Sequence, residues 1–175
     1  MSDFNLTAYN LGVRRETTVE VGARLPAEAR PRLKDGDVVG VVLSSGVNDT
    51  MIDDEQQRVP TVDTLEALRR CLDFCAAAQW PVLVVGPVPI ADERHNRRIG
   101  QLSDDIAALC RETGHAFVNA IDELAEDAAW RSSVAADDGA HPGADGYARL
   151  ADVIWPAFRS WLAETVMDRR VSLTT

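Results

Sequence analysis

The stretch "DDGAHPGADGY", residues 137–147, sets a carboxylate, Asp138, three residues ahead of an imidazole, His141, in a chain with only three histidines. A carboxylate hydrogen-bonded to one imidazole nitrogen fixes the tautomer. It also stabilises the imidazolium that forms when the other nitrogen takes a proton. Together they make the base half of a hydrolytic triad. The same residues also suit a surface histidine beside a helix-capping aspartate, and the pattern alone leaves both readings open. A metal site needs more ligands in reach, and His95 and His115 have no matching spacing.

Two more polar stretches could serve such a pair. In "SSGVNDT" (44–50), Gly46 lets the backbone turn sharply and Asn48 presents a neutral amide donor. Such a donor suits a developing oxyanion, although Gly, Asn and Asp are also the ordinary residues of a turn. In "YNLGVRRETT" (9–18), Gly12 serves a turn and Thr17 or Thr18 can cap a helix. Arg14 and Arg15 are either solvated charges or a means of orienting an anionic substrate group. Cys71, Cys75 and Cys110 fall on helix faces without metal-ligand spacing, as reduced structural cysteines do.

The elements that must position these residues alternate between strand and helix. "LTAY" (6–9), "DVVGVVL" (37–43), "PVLVVG" (81–86) and "HAFVNA" (115–120) read as strands, the second and third buried on both faces. A helix is expected over about 17–33, with Val21, Leu25, Ala29 and Leu33 on one face and kinks at Pro26 and Pro31. Pro60 opens a second, with Val62, Leu65, Leu68 and Leu72 as its stripe. A third runs near 95–112 until Gly114 stops it. The last spans about 144–165, its stripe Tyr147, Leu150, Ile154, Phe158 and Trp161, with a kink at Pro156. Such alternation means a parallel sheet with helices on both faces, because parallel neighbours need helical crossovers. Ligands of such sheets bind beyond the carboxyl ends of the strands. The loops after the strands, including "GPVPIADERHN" (86–96), carry the polar clusters.

The chain has 175 residues, 46% of them apolar, which suits one domain with a real core. A net charge of -10 with dispersed basic residues argues against a nucleic-acid partner. No apolar run approaches the roughly 18 residues of a membrane span, and no signal peptide is visible, so a cytoplasmic protein is expected.

Taken in order, "YNLGVRRETT", "VVLSSGVNDT" and "DDGAHPGADGYARLAD" resemble the second, third and fifth blocks of the SGNH-hydrolase, or GDSL-type esterase/lipase, family. The resemblance covers nearly all of the chain. It implies a flavodoxin-like three-layer α/β/α fold and hydrolysis of small-molecule carboxylic esters or related acyl groups, without metal or cofactor. It also implies His141 as general base, Asp138 as its orienting carboxylate and Asn48 as an oxyanion-hole donor. The family's other donor is the backbone N–H of a glycine five residues after the second block's Asn. Counted from Asn10 that position is Arg15, where an arginine rim favours anionic substrates.

The family's nucleophile block, a strand ending in G-D-S, should precede "YNLG", and only nine residues stand before Asn10. Ser2 lacks a glycine turn, and Ser44 and Ser45 belong to the strand leading to Asn48. The expectation is a truncated or misassigned start at Met1, a missing central strand, and no serine-dependent turnover by the chain as it stands. An upstream signal peptide would be missing with that block. The alternative is a non-catalytic ligand-binding or interaction remnant, completed by dimerisation or a complementing strand. One domain is expected over 1–165, with 166–175 as a frayed tail.

Overall fold

The computed structural model describes residues 6–34 and 36–167, the last two by their backbone alone. Three parallel strands form the main sheet: β1 (Val41–Ser44), β4 (Val82–Val85) and β5 (Ala116–Val118), in the order β1-β4-β5. β4 runs in register with both neighbours, Val41 opposite Val82 on one side and Leu83 opposite Ala116 on the other. Between β1 and β4 a two-residue turn joins the short antiparallel strands β2 (Ile52–Asp53) and β3 (Gln56–Gln57). Asp54 and Glu55 hold φ of 48° and 66° there, as a tight hairpin requires.

The helices sort by the faces of β4. Val82 and Val84 join a core with α1 (Thr18–Ala29), α2 (Thr61–Ala77) and α3 (Glu93–Thr113). Leu83 and Val85 point the opposite way, toward α4 (Ala120–Leu124), α5 (Ala128–Ala135) and α6 (Ala144–Trp161). Alternate side chains of a strand face opposite sides, so a strand covered on both must be apolar throughout, and all four β4 residues are buried. This is the three-layer α/β/α architecture that the strand–helix alternation implies.

Several elements differ from the sequence reading. Residues 6–9 form no strand; Leu6 and Tyr9 are exposed, and no strand among the described residues pairs with them. Only the last part of 37–43 enters the sheet, and β1 is not buried on both faces. It pairs on one side alone, and Val42 is 47% exposed. In α2 the buried residues are Thr64, Ala67, Leu68, Cys71, Leu72 and Cys75, so Leu68 and Leu72 face the core as expected while Val62 is 68% exposed. Tyr147 in the first turn of α6 is likewise exposed.

Helix ends follow local chemistry. Thr17 accepts the N–H of Glu20 while the Glu20 carboxylate accepts the N–H of Thr17, a capping box that opens α1. α1 ends at Ala29 and passes into a 3-10 turn (Arg30–Arg32), with Pro31 inside it. Asp92 caps α3, and Gly114 at φ 72° ends it, a left-handed stop that suits a residue without Cβ. α6 passes Pro156 and continues as a π-helical segment, Leu162–Met167. The tail expected over 166–175 lies, from 168 onward, outside the described residues, as does Ser2. No helix among the described residues is long and apolar enough to cross a membrane.

Candidate active site

Because β1 and β4 are parallel, the loops that follow them, 45–51 and 86–92, leave the same edge of the sheet. The histidine loop joins that edge through the N–H of Ala91, which donates to the Gly139 carbonyl at 2.8 Å. The 86–92 loop is itself rigid. Pro87 and Pro89 are fully buried, Trp130 Nε1 donates to the Pro89 carbonyl, and Asn96 bonds both backbone groups of Ile90.

Asp138 and His141 form a closed unit. One carboxylate oxygen accepts the N–H groups of His141 (2.8 Å) and Ala140 (2.9 Å), and the other lies 2.8 Å from His141 Nδ1. An ionised carboxylate only accepts, so Nδ1 carries a proton, and in the neutral ring the lone pair lies on Nε2. Nε2 has no hydrogen-bond partner among the described residues. The backbone N–H groups of His141 and Ala140, with the imidazole behind them, hold the Asp138 carboxyl far below the usual carboxylate range. Downstream, Gly143 N–H donates to Ser133 Oγ at 2.9 Å and ties the loop to α5.

The 10–17 segment meets this unit through Arg14, whose Nη2 stands 3.6 Å from Asp138 Oδ2. Within the segment, Asn10 Oδ1 accepts the Gly12 N–H at 3.0 Å. Arg24 of α1 reaches back to the Leu11 carbonyl and forms a half-buried ion pair with Glu16. Arg15 takes φ 70°, left-handed for a residue with a side chain, a conformation costing about 1–2 kcal/mol. Its N–H has no partner among the described residues.

Asn48 closes the arrangement, donating from Nδ2 to the Glu16 carbonyl at 2.9 Å. Gly46 at φ 116° turns the chain off β1, and a Cβ there would stand 3.1 Å from Leu102 Cδ2. The structure thus joins Asp138 to His141, Arg14 to Asp138, and Asn48 to the residue after Arg15. Among the described residues no serine stands against His141: Ser44 is exposed at the end of β1, and Ser45 Oγ accepts from Thr18 Oγ1 at 2.9 Å.

Three residues that support the site escape sequence reasoning. Asp49 is fully buried; its carboxylate accepts the Thr18 N–H through both oxygens and the Thr64 hydroxyl at 3.0 Å. It pins the Asn48 turn to the positive end of α1 and to α2. His95 Nε2 lies 2.9 Å from Thr50 Oγ1 and 3.2 Å from the Val47 carbonyl, and Arg98 donates to the Thr50 carbonyl at 2.8 Å. Burial and the Arg98 charge push the His95 pKa down. Arg58, just beyond β3, donates to the Arg15 carbonyl at 2.9 Å. The three cysteines are free and buried; burial pushes Cys75 up to about 12 and Cys110 to about 11, so neither thiol is a nucleophile.

The fold and this edge define a flavodoxin-like α/β/α protein carrying an Asp–His pair beyond the carboxyl ends of its strands. The sequence profile described as "GDSL-like Lipase/Acylhydrolase family" matches residues 2–149. The chain belongs to that family. Among solved structures it resembles a GDSL-like lipase from Bacteroides thetaiotaomicron, at 17% identity and a TM-score of 0.66, over 83% of this chain and 72% of the other. It also resembles a lipase/acylhydrolase from Enterococcus faecalis, at 18% identity and a TM-score of 0.63, over 80% and 69%. A mutant of the esterase AlinE4 aligns at 19% identity and a TM-score of 0.54, over 87% and 75%. At these identities the likeness is one of fold. No curated protein sequence matches the chain.

Proposed function

We propose that this chain is a serine-type hydrolase of carboxylic esters or related acyl groups, for which the described residues supply the base and the oxyanion donors. The observation that carries the reading is His141 with Nδ1 bound to Asp138 and Nε2 unengaged. In the proposed reaction a serine hydroxyl gives its proton to Nε2 as its oxygen attacks the acyl carbonyl. The carbonyl oxygen gains a negative charge, met by the second N–H of the Asn48 amide and the backbone N–H of Arg15. The imidazolium returns the proton to the departing alcohol, leaving an acyl-serine. Water then repeats the sequence, releasing the acid and restoring the serine. Arg14 and Arg15 line the rim with positive charge, which suits substrates bearing an anionic group near the ester.

No serine among the described residues touches His141, so in this reading the nucleophile lies outside residues 6–167. A fluorophosphonate probe followed by intact-mass analysis tests this directly. The native protein should gain one adduct, lost in His141→Ala, and hydrolyse p-nitrophenyl butyrate. A native protein that neither labels nor hydrolyses would sink the hydrolase reading. A His141-dependent adduct on the 175-residue chain would place the nucleophile within it.

The one-sided pairing of β1 favours a second reading, a non-catalytic binding module whose open strand takes a partner strand or a second copy. A native protein that folds stably, refuses the probe and changes mass in solution with concentration would be that module.

A further inference from the structure

The conformation of Arg15 is the least favourable backbone geometry at the edge where the site assembles, and the structure shows what opposes it. Two neighbouring carbonyls in the arm are gripped by side chains from one stretch of chain: that of Glu16 by Asn48 at 2.9 Å and that of Arg15 by Arg58 Nη1 at 2.9 Å. Asn48 follows β1 directly, whereas Arg58 is brought back by the small hairpin. The Arg58 N–H bonds the Met51 carbonyl at 2.7 Å and the Val59 N–H the Asp49 carbonyl at 3.1 Å, which closes the loop and fixes where residue 58 emerges. The other arm of the guanidinium, Nη2, stands 3.6 Å from Glu20 Oε2, whose carboxylate also accepts the N–H of Thr17.

We propose that Arg58 is a positioning residue: by holding the Arg15 carbonyl it keeps that peptide left-handed, so that the Arg15 N–H stays unpaired and faces the site. The hairpin of residues 52–57 then has a purpose beyond connection, since it aims this guanidinium. A fork with several donors can bond the carbonyl and Glu20 at once, whereas a lysine offers only a point charge to the pair. The proposal rests on the reading of Arg15 N–H as an oxyanion donor, although its test does not depend on turnover.

The test compares Arg58→Met in two backgrounds, the natural chain and Arg15→Gly. Glycine adopts the left-handed region without the side-chain penalty. In the natural background Arg58→Met should lower the melting temperature and move the residue 15 Cα resonance and its φ-dependent coupling out of the left-handed range. In the Arg15→Gly background it should cost less than half as many degrees. Arg58→Lys should fall between wild type and Arg58→Met on both readouts. Equal losses in the two backgrounds, or unmoved residue 15 signals, would overturn the proposal and leave Arg58 as a partner of Glu20 alone. If Arg58→Met folds only with glycine at 15, the proposal stands; if it folds in neither, Arg58→Lys carries both readouts. Failure of the hydrolase reading would appear in the probe experiment and would leave this coupling intact.

Discussion

The side-chain amide of Asn48 spans 32 residues of sequence to donate to the backbone carbonyl of Glu16, 2.9 Å away. Through this bond the turn after β1 and the arm before α1 share one geometry. Asn48→Ala should therefore lower stability by about 1 kcal/mol, the net worth of one such hydrogen bond. It should also reduce kcat on an activated ester by about 10²–10³, with KM little changed, as loss of an oxyanion donor does. Urea denaturation and steady-state kinetics check the two halves separately. A kcat within threefold of wild type would remove Asn48 from the oxyanion site.

Gly146 lies in the first turns of α6, where Gly→Ala ordinarily gains about 1 kcal/mol of helix stability. Here a Cβ would collide with Pro142 and come within 2.7 Å of Ser133 Oγ. Gly146→Ala should thus destabilise, by about 1–3 kcal/mol, and push on the residue immediately after His141. An increase in the urea midpoint would show that the loop yields freely.

Asp138 sets an acid-side dependence. Its folded-state pKa is depressed, first by the N–H of His141, then by that of Ala140 and by the imidazole. The stability it contributes is full above its unfolded pKa of about 4 and disappears as pH falls from there toward the folded value. Asp138→Asn should therefore flatten the fall in melting temperature below about pH 4 and leave the curve above it parallel to wild type. An unchanged acid limb would show that the carboxyl is not held by these donors.

His95 acts in the next pH window. Burial and Arg98 lower its folded pKa, against the Val47 carbonyl and Asp92, which raise it. The unfolded chain takes up the proton first, so stability is full above pH about 6.5 and declines as pH falls through the folded value. His95→Gln, a neutral residue able to bond Thr50, should remove part of the slope below pH about 6.5. What remains belongs to His115, whose pKa burial also lowers. A slope identical to wild type would mean that the histidine takes up its proton at the same pH in the folded and unfolded states.

The elements legible in the sequence were those whose reasons are local. β4 announces itself as an unbroken apolar run, and α3 carries its start in Asp92 and its stop in Gly114. Asp138 and His141 were legible as a pair because three residues of loop suffice to bring them together. The β2–β3 hairpin was not. Its strands hold two residues each, mostly polar, and its turn uses Asp54 and Glu55 in left-handed conformations that no glycine signals. α4 and α5, of five and eight residues, are too short for a period to emerge. Residues 6–9 show the opposite error: a strand-like pattern without a partner remains coil. The bonds that fix the segment before α1, from Arg58 to Arg15 and from Asp49 to Thr18, join residues 43 and 31 apart, which spacing along a chain cannot reveal.

The one-sided pairing of β1 also governs how the protein behaves in bulk. Val41 N–H bonds the Pro81 carbonyl at 2.9 Å, so Val41 and Leu43 direct their amides toward β4 while Val42 and Ser44 direct theirs outward. Deuterium uptake should accordingly alternate residue by residue within a single strand. At low ionic strength a net charge of -10 keeps molecules apart, but at about 1 M salt the screening length shrinks to about 3 Å. Colloidal stability then hangs on the outward-facing flank of four residues rather than on the charge of the whole surface.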